Sequence, residues 1–431
     1  MRKINLLSVV CIALGVMVLI IVYSVLEGFQ NRLKDAFRKT IPHILVENLS
    51  GERTFEDYAK VLAKVPGVTG VAPRIETISL IGWKNEGELA RPSTLVTRAS
   101  QKGIYVIAVD PARESKVTEF RSMLLNLSKW TRHLQVDDPD HPFRISDELR
   151  RDRKHRKGII IGEELARVLN LKRGAEVTLV SIRLDQDHKK IAYSNVTFYL
   201  AGAFRSGMYE QNLFTVYIPY EAGLEFMERA GYSRQMIAIR TENFDEAEVT
   251  KQACRKALLD QGFYGERITT WQDRNRPLLS ALVVEKRLLT VLMFLIVLMA
   301  CGTILAILYM MVLEKRREIG ILKALGAPMN GLLQLFLLNG GVIGLLGSLF
   351  GVGAALLFLR YINDIEAFLS RVFHFKVFSK EVYVFDQLPV VYDVRTIVFM
   401  ASATVLFSLV AAFIPAYIAA RSDPVRSLRN E

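Results

Sequence analysis

Four uncharged apolar runs constrain this chain more than any other feature: Leu6–Leu26, Leu288–Val312, Leu332–Leu359 and Thr396–Ala420. Each reaches the roughly 20 residues a helix needs to cross a bilayer core, where backbone amides must be satisfied within the segment itself. The fold class expected is an α-helical membrane protein with four transmembrane helices. Between the first two runs lies a sequence long enough for a core of its own, read as a large α+β extracytoplasmic domain. Arg2 and Lys3 precede the first run, but its apolar stretch outruns a signal-peptide core and no small-x-small site follows. An uncleaved anchor is expected.

Lysine and arginine near the spans set the orientation. Arg2 and Lys3, then Lys315, Arg316, Arg317 and Lys323, then Arg421, Arg426 and Arg429 fall on one side if the helices alternate. Both termini are therefore expected in the cytoplasm. The domain boundaries that follow are 1–27 for the first span, 28–110 for the first ectodomain part and 111–234 for an inserted β-rich subdomain. Residues 235–285 give the second ectodomain part, 286–313 the second span and 314–330 a cytoplasmic helix. The third span covers 331–360, an extracytoplasmic loop 361–394, the fourth span 395–420 and a cytoplasmic tail 421–431. The net charge of +12 in this setting suits anionic headgroups rather than nucleic acid. Of three cysteines only Cys254 lies in the ectodomain, so no internal disulfide is available there.

Helical spacing continues past the first span through Leu26, Phe29, Leu33, Ala36 and Phe37. This stripe serves either packing beneath the ectodomain or a path for a lipid-like substrate. His43–Asn48 reads as a strand, Thr54 and Asp57 as a capping pair for a helix to Lys64, and Val68–Leu80 and Ile104–Val109 as strands. Gln235–Arg240, Phe244–Gln261 and Arg267–Trp271 repeat the strand–helix–strand order, so the two halves predict a split βαβ domain. The insert begins helix-prone and then offers short strands at Gly158–Gly162, Glu176–Ile182, Val196–Phe204 and Leu213–Pro219. Six of the eight residues in RRDRKHRK (150–157) are basic, a solvated face or an acidic-partner contact.

Catalytic signatures are missing. No G-x-x-x-x-G-K-[ST], H-E-x-x-H or G-x-S-x-G occurs. His133, Asp137, Asp138, Asp140 and His141 cluster in sequence, read as an exposed acidic loop rather than a metal site. No catalytic residues and no metal are assigned. The span interiors carry neutral polar groups such as Gln334 and Asn339, not the ionisable residues of ion-coupled transport, so driving energy must come from another protein. Gly340, Gly344, Gly347 and Gly351 line one face of the third run, for packing within the chain or against a subunit.

The segment LEKRREIGILKALGAPMNG (Leu313–Gly331) lies between two spans, and its part Glu314–Ala327 resembles the most recognisable stretch of the ABC-permease superfamily that includes FtsX, MacB and the lipoprotein-releasing LolC/LolE family. IPAYIAARSDPVRSLRNE (Ile414–Glu431) resembles the superfamily's closing pattern. Ala13–Asp35, Gly67–Glu76, Gly158–Ser181, Gly202–Glu210 and YVFDQLP (Tyr383–Pro389) are similar to the LolC/LolE branch. The chain departs from it at Ile182–Asn195, which has neither Pro nor Gly, at Gln211 and Asn212 after the G-x-Y-E stretch, and in the insert 112–157.

The resemblance implies a non-catalytic permease subunit moved by a separate ATPase dimer, which would hold the ATP and magnesium. A second permease chain, a lipoprotein or other amphiphile as substrate, and a periplasmic carrier or adaptor are the further partners it implies. The site is the bacterial inner membrane. ATPase coupling is expected at Glu314, Arg316, Arg317, Ile319, Leu322, Lys323, Leu325 and Gly326, with Ile319, Leu322 and Leu325 as an apolar edge for a groove and the cations meeting acidic rims. Gly326 caps that helix and Pro328 starts the next. The substrate path is expected along Leu26, Phe29, Leu33, Leu288, Leu292 and Leu295, and ectodomain partner contacts at Gly207, Met208, Tyr209 and Glu210. An FtsX-like signal transmitter and a MacB-like efflux permease are the alternatives.

Overall fold

The computed structural model describes residues 2–50, 53–84, 91–92, 103–145, 157–184, 191–229, 233–373 and 388–421. The basic stretch 150–156, the centre of 182–195, most of 383–389 and the tail from 422 lie outside the described residues. The chain divides into a helical unit, formed by its two ends, and a β-rich unit of residues 33–276.

Among the described residues, four helices are long and apolar enough to cross a membrane: Leu6–Thr40, Arg276–Glu314, Met329–Val372 and Val394–Arg421. The helices outrun the apolar segments in three places. The first continues to Thr40, the second begins at Arg276 rather than 286, and the third runs to Phe373 rather than 360. Hydropathy marks where the chain stops being greasy, whereas the helix persists through charged helix-formers such as Glu285, Lys286, Glu366 and Arg371.

Within the helical unit, Ile12, Val16 and Ile20 of the first span share one core with Ile304 and Leu308 of the second, Phe336 and Ile343 of the third, and Ala412, Ala416 and Ala420 of the fourth. Small residues decide how closely these helices approach. A methyl added at Gly340 would sit 2.4 Å from the Ala412 Cβ, and one at Gly344 would sit 1.9 Å from the Ser408 Oγ. At Gly347 and Gly351 it would collide with Ile12 and Val16. The glycine face is thus filled from within the chain, its upper half by the fourth span and its lower half by the first. The Ser408 hydroxyl donates to the Gly340 carbonyl (3.2 Å), sealing the third and fourth spans together.

The β-rich unit is organised on ten strands: β1 (Ile44–Glu47), β2 (Val68–Lys84), β3 (Arg91–Pro92), β4 (Ile104–Val109), β5 (Gly158–Gly162), β6 (Glu176–Leu184), β7 (Ile191–Phe204), β8 (Thr215–Pro219), β9 (Ser233–Thr241) and β10 (Arg267–Thr270). Their order begins β10–β1–β9–β2, all antiparallel. With helices Phe55–Leu62 after β1 and Ala247–Asp260 after β9, this is the split βαβ arrangement. Its local signals work as read. Thr54 offers its amide and hydroxyl to the Asp57 carboxylate at 3.0 and 2.8 Å, and Gly67 takes the φ of +84° that ends the first turn.

The insert is not a separate β-rich subdomain. β2 is 17 residues long and changes partners along its length: Val68–Thr77 pair with β9, Arg74–Ser79 with β4, and Leu80–Lys84 with β6. The strands of 111–234 therefore build onto β2 and β4, closing a ring β2–β4–β8–β5–β7–β6–β2 in one continuous sheet. Among the described residues, closure gives each strand of the ring a partner on both sides. Ile81, Ile104, Val106, Ile159, Ile161, Val177, Leu179, Phe198, Leu200, Val216 and Ile218 form its buried interior. The apolar pattern carries on past Leu80 through Ile81 and Trp83, and a greasy strand that outlasts one partner needs another.

Candidate functional site

The short helix Arg316–Ala324 follows the second span after a single non-helical residue, Lys315, which pairs with Glu318. Its end is a glycine cap with both expected hydrogen bonds. The Gly326 amide donates to the Lys323 carbonyl and the Ala327 amide to the Leu322 carbonyl, each at 3.0 Å, while Gly326 adopts φ +92°. Pro328 then accepts from the Gly331 and Leu332 amides as the third span begins. The connector is thus hydrogen-bonded at both ends, with the Lys315 amide donating to the Met311 carbonyl at its start.

The expected apolar edge needs one correction. Ile319 is 4% exposed and belongs to the core of the span bundle, with Met311, Leu332 and Ala416. The residues left outward are Ile321 (44%), Leu322 (45%) and Leu325 (80%). Helical geometry explains the change: one face holds Ile319 against the bundle, and the exposed apolar face lies beside it. Glu314, Arg317 and Gly326 are exposed and Lys323 is half-buried.

Nearer the other end of the spans, the helical unit holds a cavity of about 290 Å³ between the first, second and fourth helices. Its wall is greasy, with Leu19, Leu26, Met293, Phe294, Phe399 and Phe407. Tyr23, Lys286 and Thr396 also line it. Lys286 reaches Glu27 at 3.4 Å, and the Thr396 hydroxyl lies 3.4 Å from that of Tyr23. Leu26 lines this space. Leu288, Leu292 and Leu295 do not: they are 61, 54 and 48% exposed on another face of the second helix, and Leu289, Met293, Phe294 and Val297 take the cavity side. Phe29 is half-buried in the helical unit, and Leu33 belongs to the β-rich unit.

In the β-rich unit the continuation of the first helix buries Ala36 and Phe37. The Phe37 ring sits 6.0 Å from Trp271, which stacks on Phe244 at 4.2 Å. His43 is edge-on to Phe244 and accepts the Thr241 amide at Nδ1 (3.1 Å), while burial pulls its pKa down to about 4. Gly207 lies against Ala36 with no room for a side chain beyond light contact, and Thr40 donates to the Met208 sulfur. Gly207 and Glu210 are exposed, and Met208 and Tyr209 half-buried. Asn212 shapes this loop by accepting the Ser206 amide and hydroxyl at 2.7 and 2.9 Å. It is buried and structural, a role that its sequence position alone did not announce.

A buried ion chain was also not legible in the sequence. Arg74 on β2 meets Glu114 at 3.0 Å and Glu76 at 3.6 Å, and Glu76 meets Arg274 at 3.0 Å. Burial pushes the Glu76 carboxyl up, but Arg274 and Arg74 outweigh it and hold it below its ordinary value. The acidic cluster is also divided among partners: Asp137 pairs with Arg173 and Asp140 with Arg121.

Comparison with known proteins matches both units to described families. Residues 6–257 match the MacB-like periplasmic core domain and residues 290–424 the FtsX-like permease C-terminal domain. The lipoprotein-releasing system transmembrane protein LolC of Neisseria meningitidis serogroup B is 24% identical, with 100% of this chain and 95% of the relative covered. LolC of Xylella fastidiosa is 26% identical over 99% of this chain and 94% of its own length. LolE of Haemophilus influenzae is 23% identical over 98% and 93%. The MacB-like match alone spans more than half of the sequence, and the FtsX-like match takes in the last three apolar helices and the connector between them. This four-span membrane protein belongs to the FtsX/MacB superfamily of ABC transporter permeases.

Proposed function

We propose that the chain is the permease subunit of a transporter in the bacterial inner membrane that releases lipoproteins, or a related amphiphile, using ATP hydrolysed on a separate ATPase dimer. Both termini and the helix Arg316–Ala324 face the cytoplasm in this reading, and the β-rich unit faces the periplasm. ATP and magnesium belong to the partner ATPase. The observation that carries the proposal is the exposed edge Ile321–Leu322–Leu325 on a helix fixed to the bundle by Ile319 and closed by the Gly326 cap. Such an edge seats in an apolar groove, and a stiff connector passes a push to the spans instead of absorbing it. The flanking cations Arg316, Arg317 and Lys323 would meet acidic groups on the groove's rim.

The cavity beside Leu26, Met293 and Phe294 supports an amphiphilic substrate, since its almost wholly apolar wall suits acyl chains. A second permease chain would complete the path along the exposed face of the second helix that carries Leu288, Leu292 and Leu295. The lipoprotein class itself comes from the names of the relatives.

Leu322→Glu combined with Leu325→Glu tests coupling. The variant should reach the membrane and bind substrate yet lose ATP-driven release; undiminished release would end the coupling assignment. Lipidated protein should co-purify with the wild-type complex and dissociate on addition of ATP. Retention of a soluble hydrolase in place of lipidated protein would instead favour a signal transmitter.

A further inference from the structure

The segment before β5 contains a feature that neither coupling nor the substrate path uses. From Phe120 to Val136 the chain carries no acidic residue, and at its middle Trp130 is 83% exposed, more than any other large apolar side chain described. An exposed tryptophan gains little for the fold, because its area stays in water. Yet the turn that bears it is built with care. The Thr131 amide donates to the Ser128 carbonyl at 3.3 Å, which puts Lys129 and Trp130 at the two central positions of a β-turn.

A buried carboxylate holds that turn from beneath. Glu163, 4% exposed at the first residue of the helix Glu163–Val168, accepts the Thr131 hydroxyl at 2.6 Å and the Ser128 amide at 3.2 Å. The two hydroxyls of Ser128 and Thr131 are 3.0 Å apart, and Arg205 lies 3.6 Å from the other Glu163 oxygen. On one side the turn is anchored by buried Phe120, Met123 and Leu124, and on the other by Leu134 and Val136. Trp130 is therefore presented on a fixed base, so little conformational freedom remains to be lost when something covers it. Lys129 and Arg132 flank it, both exposed and, among the described residues, neither paired with an acid, while Arg121 is occupied by Asp140.

We infer that the Ser128–Thr131 turn is a docking knob for an acidic protein, with Trp130 entering an apolar pocket and Lys129 and Arg132 meeting carboxylates on its rim. Tryptophan in a desolvated pocket, ringed by polar contacts, is the usual anatomy of an interface hot spot. The charge pattern sets the sign of the partner and the encounter rate. A single ring on a rigid turn also fits a pocket better than a bilayer surface, which is bound through a broad apolar face.

The test places the photoreactive aromatic p-benzoylphenylalanine at position 130 of the full chain in its own membrane, followed by irradiation and mass spectrometry. The expected result is a discrete adduct with a protein of net negative charge, joined next to aspartate or glutamate. Lys129→Glu with Arg132→Glu should lower that adduct at least tenfold, and Thr131→Val, which releases the turn, should lower it several-fold. Tyr264→Ser, an exposed aromatic elsewhere, should change it less than twofold. An adduct unaffected by the charge reversal, adducts with lipid alone, or no adduct at all would each overturn the inference.

Discussion

Gly344→Ala is the sharpest probe of how the spans are held, because the clash it creates can be read atom by atom. The new methyl would lie 1.9 Å from the Ser408 Oγ, 2.8 Å from the Ser408 Cβ and 3.5 Å from the Val405 Cα. Rotating the hydroxyl away relieves the first contact only, and it breaks the bonds from Ser408 to the Val405 and Gly340 carbonyls. The Cβ contact remains, so the third and fourth spans must part by roughly 1 Å to reach van der Waals distance. A gap of that size along a packed seam costs about 1–3 kcal/mol. Ser408→Ala should restore part of the loss, and Ser408→Gly, which removes both clashing atoms, nearly all of it, giving a coupling of about 1–2 kcal/mol in a double-mutant cycle. The assay is denaturant unfolding of the full chain in detergent micelles. Gly353→Ala is the control: a methyl there meets nothing within 4 Å, so it should be neutral or slightly stabilising through helix propensity. Wild-type stability for Gly344→Ala, or failure of Ser408→Gly to restore the seam, would refute the packing argument.

Ile319→Ala should lower the stability of the helical unit by about 2–5 kcal/mol as a core truncation, whereas Leu325→Ala should leave unfolding unchanged and impair only ATP-driven work. Leaving either Arg74 or Glu114 without its partner should cost about 3–5 kcal/mol, and Arg74→Met with Glu114→Leu should recover most of it, measured by thermal unfolding. His43 gives a pH dependence of known sign. Its folded pKa of about 4 lies below the ordinary 6.5, so its contribution is complete above pH 6.5 and is lost as pH falls toward 4. The total is about 3 kcal/mol. His43→Asn, which keeps an acceptor for the Thr241 amide, should flatten that part of the stability profile.

The split βαβ frame was legible because its parts are local. Thr54 with Asp57, Pro66-Gly67 and the apolar run of β1 each act within a few residues, and the two halves repeat the same order. The ring was not legible for the opposite reason. Nothing in β2 says that Thr77 is the last partner of β9 or that Leu80 begins a pairing with β6 about a hundred residues onward. Pairing of that kind is chosen by the whole core, not by the strand. The buried chain Arg74–Glu114, with Glu76 and Arg274, is hidden in the same way, since four charges scattered over 200 residues look like surface until the sheet folds.

At the membrane the limit of sequence reasoning is angular. Apolar helices carry leucine on every side, so composition cannot distinguish the face that lines a cavity from the face turned outward. Leu292 and Met293 are chemically equivalent choices, yet one residue of helical advance, about 100°, sends the first outward and the second to the cavity wall. The asymmetric positions are small and polar ones. Thr404, Ser408, Ala412, Ala416 and Ala420 recur every fourth residue in the fourth span, and Ser408 and Ala412 of that row lie against Gly344 and Gly340 of the third. The same logic applies to the connector. Ile319 and Leu322 look alike in sequence, but only the isoleucine joins the buried core of the span bundle, and Leu322 and Leu325 stay exposed. Because the bundle core holds Ile319 inward, loosening the seam at Gly344 or Ser408 should weaken the coupling proposed for Leu322 and Leu325 as well as stability.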